Sequence, residues 1–185
     1  MNDAENPLEP FKRETTATIR AIAEDEELDI HFGPGAPSAQ GSRLRLPAPP
    51  QGASAEEIDA VRGIGDEYAL RYKYHDASLH SRLCPSSGAA QEMFEWIESA
   101  RIASLGTLRM EGVAANLDAH LEVQCKQAEF DSLTAETDSP LSVAVGLIVR
   151  QELTGRELPL TAQKVVKNWR EHVLSNCLLY TSDAA

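Results

Sequence analysis

Three side chains near the middle of the chain, His75, His80 and Cys84, resemble a metal-binding cluster. The four-residue step from His80 to Cys84 would place both on one face of a helix, whereas the five-residue step from His75 does not align. Three such ligands with an open coordination position could hold a transition metal. Because Asp76 suggests a turn and Pro85 follows Cys84, we interpret the stretch as a capped, hydrogen-bonded helix junction. Metal binding is the alternative.

No other motif in the sequence predicts an active site. The chain has no G-x-x-x-x-G-K-[ST] phosphate loop and no local signature of a Ser/His/Asp set. Basic residues around Arg62 and Arg82 form either a solvated helix face or a docking surface for an acidic partner. We therefore predict no catalytic residue and no cofactor bound by this chain. The polar residues that we expect to hold helix junctions or to meet a partner are Arg62, His75, Asp76, His80 and Arg101.

The overall charge excludes some classes of partner. A formal net charge of −12 argues against nucleic acid or an anionic membrane surface, since both are polyanions. The first ten residues are polar and acidic, which does not fit a signal peptide, and no apolar run approaches the length of a membrane helix. The three cysteines have no paired spacing, which is typical of reduced thiols. These features predict a cytoplasmic protein.

The elements that must position these residues are predicted to be helices. An aromatic share of only 5% favours a core of Leu, Ile, Val and Ala, which suits helices better than a sandwich or barrel. We predict an all-α, irregular bundle of about six helices. Their approximate ranges are 11–24, 54–72, 88–105, 113–130, 141–153 and 161–173. Residues 28–32 could form a short strand, and the Pro/Gly-rich stretch 33–53 is predicted to be a long irregular loop.

Local signals refine these helices. Ser54 and Glu57 form the pattern of a capping box at the start of the second helix. Gly63 and Gly65 inside that helix each cost about 1 kcal/mol relative to Ala, which indicates a close approach of another helix or a kink. Near the other end of the chain, Thr161 is predicted to cap the last helix.

The ends of the chain are set apart from this helical domain. We expect residues 1–9 to be disordered and residues 10–176 to form one helical N-terminal domain. Residues 177–185 (CLLYTSDAA) resemble the translated sequencing-adapter tails of reading frames assembled from environmental DNA. On that interpretation the true chain was cut off here, and the alternative is an ordinary frayed C-terminus.

Several stretches, in order along the chain, carry a resemblance to a known family. They are Pro10–Arg13, Thr18–Ala23, Arg45–Pro47, Val61–Gly63 with Asp66, Ala69–Leu70, His75–Asp76 with His80, Phe94 with Glu98 and Arg101, Met110–Leu117, Leu153–Arg156 with Leu158–Pro159, and Trp169–Arg170. Together they resemble the N-terminal helical region of the cobaltochelatase T subunit of aerobic cobalamin biosynthesis. No single stretch is diagnostic, and the order of the stretches supports the resemblance.

The resemblance implies a role in a multi-subunit enzyme. The T subunit pairs with an AAA+ ATPase subunit, and that assembly drives a large chelatase subunit that inserts Co²⁺ into hydrogenobyrinic acid a,c-diamide. The complex uses ATP, Mg²⁺ and Co²⁺. In the family an acidic linker and a von Willebrand factor A-like domain with a metal-ion site follow the helical region, and this sequence contains neither. The resemblance therefore implies a non-catalytic assembly role in a hetero-oligomer. The alternatives are a stand-alone helical adaptor and a small metal-binding protein that uses His75, His80 and Cys84.

Overall fold

The computed structural model describes residues 8–130 and 140–182, the last seven of these by their backbone alone. The described residues form seven helices and one small sheet, so the prediction of a mainly helical fold is confirmed. In chain order the elements are α1 (Leu8–Ala23), β1 (Asp29–Phe32), β2 (Ser38–Gln40), β3 (Arg43–Leu46), α2 (Ala55–Tyr74), α3 (Ala77–Leu83), α4 (Gly88–Thr107), α5 (Glu111–Gln127), α6 (Leu141–Thr154) and α7 (Leu160–Ser182).

The description of residues 33–53 as one irregular loop is wrong for two short stretches. Strand β3 lies between the other two strands, pairing parallel with β1 and antiparallel with β2. Leu44 and Leu46 of β3 are fully buried, while Arg43 and Arg45 alternate with them on the exposed face. This period of two is the pattern of a half-buried strand, which the surrounding Gly and Pro residues obscured in the sequence. The strand predicted near residues 28–32 is confirmed as β1.

The chain divides into two compact units. The first unit contains Met1–His75 and Gly106–His120, and the second contains Asp76–Leu105 and Leu121–Ala185. Helix α5 therefore contributes its first part to the first unit and its second part to the second. No helix in the described part of the chain is both long enough and apolar enough to cross a membrane.

The first unit packs α1, α2 and the sheet around an aliphatic core. Ile19, Leu28, Leu44, Leu46 and Leu70 are fully buried in it. The capping box predicted at the start of α2 is confirmed, because the Ser54 side chain accepts from the backbone N–H of Glu57 and the Glu57 carboxylate accepts from that of Ser54.

The close approach predicted at the two glycines of α2 is also confirmed. A Cβ atom placed on Gly63 would lie 2.1 Å from the backbone oxygen of Asn116 on α5. One placed on Gly65 would lie 2.9 Å from the Cδ1 atom of Ile19 on α1. Both distances are shorter than ordinary contacts between carbon or oxygen atoms. The two glycines therefore let α2 approach two neighbouring helices, and the gain in packing offsets their low helix propensity.

The second unit is built on an apolar core under α6 and α7. Its buried residues are Leu121, Cys125, Phe130, Val143, Ala144, Leu147, Ile148, Leu158, Ala162, Val165 and Val166. Helix α6 ends at Gly155, whose φ of 67° lies in the left-handed region that favours glycine. The predicted cap at Thr161 is wrong: α7 already begins at Leu160, and the buried Thr161 hydroxyl donates to Glu122 Oε2 at 2.9 Å.

Candidate functional site

The most unusual polar group in the first unit is the carboxyl of Asp66. It lies on α2 and is only 2% exposed. Asn116 of α5 donates from Nδ2 to Asp66 Oδ2 at 2.8 Å. Burial raises the pKa of Asp66 to about 6, although the hydrogen bond from Asn116 and the nearby Arg62 guanidinium both act to lower it. Because a buried carboxylate is costly unless it is fully paired, Asp66 keeps its proton to a higher pH than an exposed aspartate does.

A polar depression of about 310 Å³ opens over this carboxyl, and we name it the Asp66 pocket. It is lined by Glu14, Thr15, Thr18, Arg62, Asp66, Gly112 and Asn116. The Arg62 side chain is oriented by two contacts outside the pocket. Its Nη1 lies 3.0 Å from Asp59 Oδ1, and its guanidinium lies 5.7 Å from the centre of the Phe11 ring. The pocket is therefore lined by the exposed Glu14 carboxyl and the Arg62 guanidinium, with the buried Asp66 carboxyl at its base.

The sequence forms this pocket because α2 and the first part of α5 come into direct contact. Asn116 does two things there: its backbone oxygen packs against Gly63, and its amide group binds Asp66. One turn further along α5, His120 Nε2 lies 3.3 Å from Glu67 Oε2, and the buried His120 Nδ1 has no hydrogen-bond partner among the described residues. A side chain larger than hydrogen at position 63 would separate the two helices and open the pocket.

In the second unit, His80 and Cys84 of the predicted cluster lie together with Glu95 of α4. Their possible ligand atoms are all within 4.8 Å of one another. His80 Nε2 is 2.8 Å from Glu95 Oε1, and the imidazole packs edge-on against Phe94 with ring centres 5.0 Å apart. Nitrogen, sulfur and carboxylate oxygen are all donors that Zn²⁺ accepts in proteins.

The other residues predicted from the sequence occupy the ends of helices or the surface. His75, in the first unit, follows the last residue of α2, and its backbone N–H donates to Arg71 O at 3.0 Å. Asp76, in the second unit, caps α3 by accepting from the backbone N–H of Leu79. Arg101 donates from Nε and Nη2 to both carboxylate oxygens of Glu98 at 2.7 and 2.8 Å, which raises the pKa of Arg101.

Three residues of these sites were missed as site residues from the sequence. Asp66 and Asn116 lie in stretches that carry the family resemblance, but their pairing joins positions 50 residues apart. One signal for Asp66 was available: Arg62, Asp66 and Leu70 share one helix face, so a carboxylate falls next to a core position. Glu95 carried no comparable signal, because its partner lies on a different helix.

Comparison with known proteins supports the resemblance drawn from the ordered stretches. No solved structure matches the chain. The family model described as cobalamin biosynthesis protein CobT matches residues 5–179, which include most residues of both units. The chain therefore belongs to the CobT family, and its role is in cobalamin biosynthesis.

Proposed function

We propose that the chain is a non-catalytic subunit region of the ATP-dependent cobaltochelatase, which inserts Co²⁺ into hydrogenobyrinic acid a,c-diamide. The family match over residues 5–179 is the observation that carries this proposal. Co²⁺ and the tetrapyrrole are substrates of the assembled enzyme, and ATP with Mg²⁺ is consumed by an AAA+ ATPase subunit. The sequence has no phosphate loop of its own, which is consistent with assigning ATP hydrolysis to that partner.

The described residues support an assembly role through the Asp66 pocket. Its lining contains two carboxyl groups, of Glu14 and Asp66, and one guanidinium, of Arg62, so an ionised Asp66 leaves the pocket with net negative charge. A lysine or arginine side chain of a partner would supply the missing cation and hydrogen-bond donors. Entry of such a side chain would also stabilise the ionised form of Asp66, because an opposite charge nearby lowers the pKa of a carboxyl group. We therefore propose the Asp66 pocket as the docking surface for the AAA+ subunit.

The proposal is tested by pull-down of the whole chain against the AAA+ ATPase subunit and the large chelatase subunit of a cobalamin-producing organism. We expect the wild-type chain to retain the AAA+ subunit, and we expect retention to weaken with added salt because the contact is between opposite charges. If neither subunit is retained by a chain that circular dichroism shows to be helical, the assembly role is wrong.

Two substitutions on α1 locate the interface. Thr18 is exposed and lines the pocket, so Thr18→Arg would place a long cation at its mouth and compete with the partner. Ala17 is equally exposed but lines a different depression with Ile30 and Phe32, so Ala17→Arg adds the same side chain outside the pocket. We expect Thr18→Arg to weaken retention at least tenfold and Ala17→Arg to leave it unchanged. Equal retention by the two variants would move the docking surface away from the Asp66 pocket without refuting assembly itself.

A further inference from the structure

Helix α3 exposes its apolar side chains and turns a polar side chain toward the rest of the second unit. None of its residues is buried. Its two leucines, Leu79 and Leu83, are 43% and 61% exposed, whereas His80 and the following Cys84 are partly buried. A helix held by ordinary packing turns its apolar residues inward and its polar residues outward. The His80 imidazole contacts Glu95 and Phe94 of α4, and the Cys84 thiol lies beside the same carboxylate.

These two groups meet a third ligand on α4. His80 and Cys84 are one helical turn apart, so both point from the same face of the helix. Glu95 completes the set, with its Oε1 atom 2.8 Å from His80 Nε2 and all possible ligand atoms within 4.8 Å of one another. The edge-on contact with Phe94 fixes the plane of the imidazole ring. The group is thus assembled from two helices and is oriented by packing.

The spacing fits a tetrahedral metal ion after a small adjustment. Bonds of about 2.0–2.3 Å from Zn²⁺ to nitrogen, oxygen and sulfur place the ligand atoms about 3.3–3.8 Å apart. The His80 and Glu95 atoms would separate by about half an ångström to reach this range, and the Cys84 sulfur, which lies within 4.8 Å of both, would move to the same spacing. Rotation of side chains that are only partly buried can supply both movements, because Glu95 is 40% exposed.

We propose that His80, Cys84 and Glu95 bind a Zn²⁺ ion that fastens α3 to α4. A thiolate together with an imidazole selects Zn²⁺ over Mg²⁺ or Ca²⁺, which prefer oxygen ligands. Binding releases the thiol proton of Cys84 to solvent, and the Cys84 S–H···O contact with the Pro85 carbonyl at 3.7 Å is given up. Three protein ligands leave one coordination position for water. This site is independent of the assembly role, since it requires neither ATP nor a partner subunit.

The site is tested by titrating the reduced, full-length chain with Zn²⁺ by calorimetry and with Co²⁺ as a spectroscopic substitute. We expect one equivalent of metal to bind, and we expect the Co²⁺ form to show a thiolate-to-metal charge-transfer absorption. Cys84→Ser removes the thiolate and should abolish that absorption. Glu95→Gln should keep it and weaken Zn²⁺ binding at least tenfold. Cys125→Ala, which removes a buried thiol of the same unit outside the cluster, should leave both unchanged.

Several outcomes would overturn the site. They are the absence of the charge-transfer band in the wild-type chain, its persistence in Cys84→Ser, and equal Zn²⁺ affinity of wild type and Glu95→Gln. Because Cys84 and Glu95 are each only partly buried, these two variants should keep the helical circular dichroism of the wild type, so lost binding can be assigned to the ligands. A pull-down repeated with a zinc chelator separates this proposal from the assembly role. Loss of zinc without loss of the AAA+ subunit is the expected result.

Discussion

Each of the two units contains a contact between helices that only glycine allows, yet the surroundings of the two contacts differ. In the first unit, a Cβ atom at Gly63 of α2 would lie 2.1 Å from the backbone of Asn116. In the second unit, a Cβ atom at Gly146 of α6 would lie 2.8 Å from Cβ of Trp96. The first glycine is one turn from a buried carboxyl group with its amide partner. The second lies among Val143, Leu147 and Ile148, all of them buried and apolar.

The cavities beside these contacts differ in the same way. The Asp66 pocket is polar and has a volume of about 310 Å³. The second unit has a cavity of about 390 Å³ lined mainly by apolar side chains, including Trp96, Leu121 and Phe130. Both units therefore use a glycine to bring two helices into close contact. The chemistry of each region depends on whether the residues one turn away can ionise or donate hydrogen bonds.

The largest effect is expected from Gly63→Ala, which disrupts the helix contact in the first unit. The new methyl group would overlap a backbone oxygen, which cannot rotate away as a side chain could. We expect a loss of about 3 kcal/mol or more in the free energy of unfolding, at the upper end of overpacking costs. Chemical denaturation measures this loss. Gly112→Ala is the matched control, because a Cβ atom there has nothing within 4 Å and alanine is the better helix former. Equal stability of the two variants would contradict the close approach.

The second prediction concerns the pH dependence of stability that Asp66 introduces. In the unfolded chain this carboxyl group releases its proton near its ordinary pKa of 3.8, whereas the folded protein keeps the proton up to about pH 6. The folded state thus binds one more proton at Asp66 between these values, so the contribution of Asp66 to stability is fully present below pH 4 and is lost as the pH rises through 6. Two pKa units correspond to about 3 kcal/mol.

Asp66→Asn isolates this effect. Its amide oxygen can still accept the hydrogen bond from Asn116 but cannot ionise. We expect the difference in free energy of unfolding between the variant and the wild type to grow in favour of the variant from pH 4 to pH 7, measured by urea denaturation at each pH. Parallel pH profiles for the two proteins would show that Asp66 is not held in the buried environment described above.

In the second unit, Gly146→Ala tests the apolar counterpart of the same contact. The added methyl group would lie 2.8 Å from the Cβ atom and 3.1 Å from the carbonyl oxygen of Trp96. These distances are longer than the overlap at Gly63, so we expect a smaller loss of about 1–2 kcal/mol. Because no titratable group is part of this contact, the loss should be the same at pH 5 and pH 7. A pH-dependent loss in Gly146→Ala would remove the distinction between the two units.

The sequence predicts those features of the fold that depend on a residue pattern within a single helix or strand. Helix α6 is an example, because its nearly continuous apolar sequence predicts deep burial and Gly155 predicts its end. Helix α3 was missed because it is only seven residues long and has no apolar stripe facing the core. Strands β2 and β3 were missed because their pairing across Gly41 stabilises them more than local propensity does. The paired atoms of Asp66 with Asn116 and of His80 with Glu95 depend on which helices meet, which spacing along one chain does not encode.

The smallest expected effects come from removing the helix caps at Ser54 and Asp76. Comparing the two variants distinguishes an effect on the stability of the whole protein from an effect on one helix. Ser54→Ala removes the cap of α2, a helix with six buried residues, and should lower the free energy of unfolding of the whole protein by about 1 kcal/mol. Asp76→Ala removes the cap of α3, which has no buried residue. That variant should leave the global unfolding transition unchanged and should speed amide hydrogen exchange only within residues 77–84. If Asp76→Ala instead lowered global stability as much as Ser54→Ala does, α3 would be an integral part of the second unit's core, and a metal ion would not be needed to hold it.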